Sequence, residues 1–265
     1  MRMVDAFAWT VPAFFQNNVV DHTWVTTYDN QQDSFSKIDD VVHAGEHYWY
    51  CWGDFHVTGG TQKHPHGLLL RVSIDLSLAK CLVAPDLETK PNRPAQGTIF
   101  AYGIDGVCHQ LANQVLYSSE TNGRPPAIVK TARGFRFSQF LFGNYGLQAV
   151  AWKQRAAKCG SDVGGSKMSD DDDDFAAHLR DAVTGPDRAE KIAKLLAARE
   201  RFHSVTLTKK FEHPTADELN RMYSSFLHEA ADILGNADFE KVFGEPVSDE
   251  MAIVDPAIYE QSLGH

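Results

Sequence analysis

The stretch Gly103-Ile-Asp-Gly-Val-Cys-His-Gln-Leu-Ala-Asn-Gln-Val-Leu-Tyr-Ser118 decides how this chain is read. Val107, Leu111, Val115 and Leu116 fall at helical spacing, so a helix is expected from Val107 to Ser118, with Asp105 or Gly106 as its N-cap. Cys108 then sits in the first turn, after a glycine-containing loop. The unpaired N–H groups and dipole of a helix start favour a thiolate. The same N–H groups can bind the oxyanion formed when that thiolate attacks a carbonyl. Gln110 and Asn113 are polar residues on this helix and are expected to face the oxyanion or substrate. The alternative is that Cys108 is a small buried hydrophobe, as many free cysteines are.

A cysteine nucleophile needs a base. His22 opens the segment His22-Thr-Trp-Val-Thr-Thr-Tyr28, whose β-branched and aromatic residues predict a strand. On a strand at a sheet edge, His22 is placed to meet a helix N-terminus packed across the sheet, as imidazolium or as base. A catalytic imidazole usually has an orienting partner on its other nitrogen. The next predicted strand, His47 to Val57 (HYWYCWGDFHV), offers His56 first, Asp54 second, and His47. A third strand, Gly67 to Leu78, is apolar enough to be central; residues 84–97, with three prolines, read as a long loop. Residues 135–153 read as a helix, or as a strand broken at Gly143 and Gly146.

A strand beginning with His, a following strand with a second polar residue, and a later Cys at a helix start resemble the permuted NlpC/P60 papain-like superfamily, in its lecithin retinol acyltransferase-like branch. The resemblance covers about residues 15–155. It implies an α+β fold, with an antiparallel sheet packed on the Cys-bearing helix. It also implies hydrolysis of a peptide or amide, or acyl transfer, through a Cys thioester. His22 would be the base, Cys108 the nucleophile, and the third polar residue would come from His47–His56. Val107-Cys108-His109-Gln110 stands where the acyltransferases carry an Asn-Cys-Glu-His-type signature.

The remaining sequence bounds the reading. The chain has 265 residues and a net charge of −10, with no concentrated Lys/Arg cluster, so a nucleic-acid partner is not expected. No apolar run approaches the roughly 18–20 residues of a membrane span. No signal peptide is read, so a cytoplasmic location is expected, or export without an N-terminal signal. Cys51, Cys81, Cys108 and Cys159 lack CxxC spacing and are expected to be reduced.

The organisation expected is a catalytic domain over 1–158, a Gly/Ser/Asp-rich linker over 159–174, and a helical region over 175–265. In that last region Gly185-Pro186-Asp187 opens a helix, and Thr215 with Glu218 makes a capping box. The region carries no catalytic signature, and it could cover the site, bind a partner protein or complete the core. No cofactor or metal is assigned, and a small molecule or peptide is the expected substrate. Two other readings stay open. His43, His47, His56, His64 and His66 could hold a metal, although no HExxH spacing occurs. Trp24, Tyr48, Trp49, Tyr50 and Trp52 could line the site of a non-catalytic binding module.

Overall fold

The computed structural model describes residues 3–13, 17–28, 48–53, 67–84, 87–88, 101–119, 125–160, 174–209 and 211–263. Strands β1 (Met3–Val11), β2 (His22–Tyr28), β3 (Tyr48–Trp52), β4 (Gly67–Asp75) and β5 (Leu87–Glu88) form one antiparallel sheet in the order β4-β1-β2-β3-β5. The protein is α+β, with this sheet packed on helix α2 (Cys108–Leu116). β2 is central rather than an edge, because it pairs with β1 from Ala6–Thr27 to Val11–His22 and with β3 from Val25–Trp52 to Tyr28–Tyr48.

The two-residue period of the strands sorts their side chains to two faces. Val4, Ala6, Ala8, Val25 and Trp52 share one cluster with Leu111, Ala112, Val115 and Leu116 of α2. Fully buried Ala6 and Ala8 add little bulk to the face on which α2 packs. Phe7, Trp9, Val11, Trp24 and Cys51 form a separate cluster, which places Trp24 and Trp52 in core positions.

β4 ends three residues before the predicted strand does. Asp75 accepts hydrogen bonds from the backbone of Ser77 and Leu78 and so caps helix α1 (Leu76–Leu82), which buries Leu76, Ala79 and Leu82. Residues 135–153 resolve into helix α3 (Phe135–Phe142) and the start of helix α4 (Ala149–Lys158). The chain breaks between them near Gly143 and Gly146, both at positive φ.

The C-terminal region is helical: α5 (Phe175–Ala182), α6 (Arg188–Lys209), α7 (Ala216–Leu234), α8 (Asn236–Phe243) and α9 (Pro256–Leu263). Thr215 and Glu218 form the expected capping box at the start of α7. These helices do not pack only among themselves. Phe140 of α3 stacks on Phe226 of α7 at 5.0 Å, and Phe226 on Phe202 of α6 at 4.0 Å. Phe140 and Phe226 are buried, and each contributes about 1.5–3 kcal/mol. The same apolar cluster takes in Tyr102, Ile104, Val107 and Cys108, so the start of α2 lies in a core shared by the regions 1–158 and 175–265. Residues 161–173 of the Gly/Ser/Asp-rich stretch lie outside the described residues.

The cysteines are not all reduced. Cys81 at the end of α1 and Cys159 just past α4 form a disulfide with Cα atoms 5.8 Å apart, while Cys51 and Cys108 are buried thiols outside any disulfide. Their pairing is a tertiary event between elements 78 residues apart, which spacing alone does not reveal. Among the described residues, no helix is long and apolar enough to cross a membrane.

Candidate active site

The start of α2 is built by its own side chains and by the loop before it. Val107 is the N-cap rather than Asp105 or Gly106. It has no capping oxygen, and the Gln110 side chain instead reaches back to accept from the Val107 N–H at 3.0 Å. Asp105 is used elsewhere: its carboxylate accepts from the Ala101 N–H and from the Gln148 amide. The Gly103 N–H donates to the Gly106 carbonyl at 2.7 Å, closing the loop immediately before Cys108. The N–H groups of Cys108 and His109 have no partner within the helix, as helix geometry dictates.

His22 arrives by a pinned route. The Asp21 N–H donates to the Arg133 carbonyl, and the Val19 N–H to the Ala252 carbonyl. Arg133 donates to the Asn18 carbonyl and makes a two-pronged ion pair with Glu245. Gly134 lets this segment lie flat against α3: a Cβ there would stand 2.0 Å from the Val19 carbonyl oxygen. His22, the first residue of β2, therefore lies beside the first residue of α2.

The His22 ring bridges two groups. Its Nδ1 is 3.5 Å from Cys108 Sγ, and its Nε2 is 3.0 Å from Asp255 Oδ2. All three residues are buried, Cys108 to 2% and His22 to 4% exposure. Burial alone would lower the His22 pKa, but the hydrogen bonds and negative charge of Asp255 and Cys108 overcome it and push it up to about 10. Burial works against the Asp255 carboxylate too; the His22 hydrogen bond and charge, with two backbone N–H donors, hold its pKa below the ordinary value. Those donors are Ala257 N–H at 2.8 Å and Ile258 N–H at 3.3 Å. Asp255 is thus the N-cap of α9 as well as the partner of His22, with Pro256 at the first helical position.

Tyr102 completes the cluster. Its hydroxyl is 4.0 Å from Cys108 Sγ and is hydrogen-bonded by the Asp255 backbone. Burial and the neighbouring Cys108 and Asp255 charges keep this phenol protonated, with a pKa far above the ordinary value.

The other sequence candidates are distributed differently. His47, Asp54 and His56 lie outside the described residues, as do His43, His64 and His66. The position on His22 Nε2 is taken by Asp255, from the helical region. Gln110 and Asn113 brace backbone rather than face the sulfur. Gln110 donates to the Gly143 carbonyl. Asn113 donates to the Asn144 carbonyl and accepts from the Val129 N–H. With Gln114 on the Tyr145 carbonyl, three amides of a wholly buried helix hold three consecutive carbonyls, because buried polar groups must be satisfied. His109, beside Cys108 in sequence, is hydrogen-bonded through Nδ1 to Ser138 Oγ, on the neighbouring helix α3. Burial, with the His22 charge, pushes its pKa down to about 3, so it stays neutral. Among the described residues, no group of three or more His, Cys, Asp or Glu side chains could hold a metal ion.

Asp255 and Tyr102 were missed by sequence reasoning. Asp255-Pro256 does carry a local signal, an N-cap followed by proline at the first helical position. It marks a helix start and says nothing of His22. No protein-family model matches this chain, and no curated protein or solved structure is similar to it.

Proposed function

We propose that the protein is a cysteine-dependent hydrolase or acyltransferase acting on an amide, peptide or ester bond, with Cys108 as nucleophile, His22 as acid and base, and Asp255 as the orienting carboxylate. The observation that carries this reading is the His22 ring held between a thiol and a carboxylate, with the thiol at a helix N-terminus. A nucleophile, a base on it and a third group on the base make up the arrangement needed for covalent acyl transfer.

In this mechanism the Cys108 thiolate attacks the carbonyl carbon, forming a C–S bond and an oxyanion. The Cys108 N–H and the Tyr102 hydroxyl donate to that oxyanion. The oxyanion collapses as the C–N or C–O bond breaks, and His22 gives its Nδ1 proton to the departing amine or alkoxide. Neutral His22 then takes a proton from the acceptor, whose oxygen or nitrogen attacks the thioester. Release of the acyl group restores the thiolate–imidazolium pair. Water as acceptor gives hydrolysis, and another nucleophile gives transfer. Asp255 stays ionised throughout and holds the ring so that Nδ1 faces sulfur.

The Cys81–Cys159 bridge supports action in an oxidising compartment over a cytoplasmic one. Because Cys108 is almost wholly buried, substrate reaches the sulfur only when covering side chains move.

The test is the rate of Cys108 alkylation by iodoacetamide against pH, in the wild type and in His22→Ala, with the modified residue identified by mass spectrometry. The reading expects Cys108 to react in the folded protein at pH 7, and to slow in the variant. A Cys108 that reacts only on unfolding, at a rate indifferent to His22, overturns it.

A further inference from the structure

Resting on that reading, we propose that Asn220 on α7 is a positioning residue, which sets the Asp255 carboxylate against His22. Asn220 is not in contact with the reacting groups. Its Oδ1 accepts from the Ile253 N–H at 2.9 Å and the Val254 N–H at 2.8 Å, and its Nδ2 donates to the Val254 carbonyl at 2.9 Å. One side chain therefore satisfies three backbone polar groups of two consecutive residues in an irregular segment, as a neighbouring strand would.

That segment needs such support. On its other side it is tied only briefly, through the Asn18–Ala252 bridge, to the chain that leads into His22. Residues 253–254 lie between this bridge and Asp255, so their placement sets where the carboxylate begins. Val254 packs its Cγ1 against Gly103, in the loop before Cys108, where an added Cβ would meet it at 2.9 Å. One turn along α7 from Asn220, the Tyr223 hydroxyl donates to the Gly103 carbonyl. A single helix face thus holds both the segment bearing Asp255 and the loop bearing Tyr102. Asn220 is suited to the first task because it alone of the polar side chains of its length offers both an acceptor and a donor from one planar group. Aspartate in its place keeps the acceptor for both N–H groups but turns a second acceptor oxygen on the Val254 carbonyl.

The experiment compares Cys108 alkylation rate against pH in the intact protein and in H22A, N220A, N220D, D255N and N220A/D255N, with melting temperature measured on each. The expected result is that N220A slows alkylation at pH 7 on the order of ten- to a hundredfold and distorts the pH profile in the same sense as D255N, since a small misplacement of a catalytic partner has effects of this size. N220D, which keeps only the contacts to the two N–H groups, recovers part of the rate, and the double variant is no slower than D255N alone, because Asn220 acts through Asp255. If N220A lowers the melting temperature but leaves the pH profile as in the wild type while D255N changes it, Asn220 is structural only and the proposal is wrong. Additive losses in the double variant are equally fatal to it. If N220A does not fold, N220S, which retains a hydroxyl acceptor and donor, carries the same comparison. Should H22A and D255N leave the profile untouched, it is the underlying thiol reading that has failed.

Discussion

Asp255 Oδ2 stands 3.0 Å from His22 Nε2 across 233 positions of sequence, while the second oxygen of the same carboxylate caps α9. The two duties can be separated by substitution. Asp255→Asn keeps an oxygen for the cap and loses the charge, so the start of α9 should be kept while the ion pair with His22 is lost. Thiol reactivity and any acyl-transfer activity should fall on the order of 10²–10⁴-fold, the range for disturbing an acid–base partner. Asp255→Ala should add the loss of the cap, about 1 kcal/mol in denaturant melts. An Asn variant as reactive as the wild type would remove Asp255 from the site.

The same pair gives stability a pH dependence whose sign is fixed. His22 has a folded pKa raised to about 10, above its ordinary 6.5. Its contribution is fully present below pH 6.5 and is lost progressively as pH rises through about 10. Asp255 has a lowered folded pKa, so its contribution is present above the ordinary carboxylate value and is lost as pH falls through the folded one. The melting-temperature gap between wild type and Asp255→Asn should therefore be widest at mildly acidic pH and close toward pH 10. A gap constant from pH 5 to pH 10 would contradict the charged pair.

Asn113 should matter for folding and not for the sulfur. Asn113→Ala leaves the Asn144 carbonyl and the Val129 N–H without their partner in a buried site. The expected cost is about 2–6 kcal/mol in urea unfolding, since each buried group that loses its partner costs about 1–3 kcal/mol. Cys108 alkylation in the folded variant should stay close to wild type. A large loss of reactivity without loss of stability would return Asn113 to the oxyanion.

The Cys81–Cys159 bridge closes a long loop, 78 positions apart. Chain-entropy reasoning puts its contribution at about 4 kcal/mol, so Cys81→Ser should lower stability by up to that amount. Thiol titration of the denatured, unreduced protein should find Cys51 and Cys108 alone. Four thiols before any reductant is added would show that the bridge does not form.

Gly134→Ala tests the approach of His22. A methyl group there meets the backbone of Val19 and Val20, and Gly134 has φ of +76°, which side chains rarely adopt. Destabilisation by at least about 2 kcal/mol is expected, the scale of overpacking combined with backbone strain. A neutral substitution would mean that the 17–21 segment has room to shift.

The sequence carried the local half of this arrangement. A helix start at Cys108 was readable because apolar residues at helical spacing follow a glycine loop, and the β2 segment because its residues suit a pleated surface. What brings His22 to Cys108 is not local. Arg133, Gly134 and Ala252 pin the chain before β2, and none lies near it in sequence. Asp255 was invisible for the same reason: the neighbouring strand offered polar residues in sequence, whereas the partner comes from the start of α9. Gln110 and Asn113 misled because a polar residue beside a cysteine looks equally apt for substrate or for backbone. Only the position of the Gly143–Tyr145 carbonyls decides which.

The span of the site along the chain has a consequence for biosynthesis. His22 and Cys108 leave the ribosome long before Asp255, so the nascent polypeptide carries a thiol and an imidazole that no carboxylate yet orients. The α7 clamp also comes late, and the segment it grips is made later still. Any reactivity that depends on the triad is therefore withheld until synthesis has passed Asp255 and α9 has room to form outside the exit tunnel.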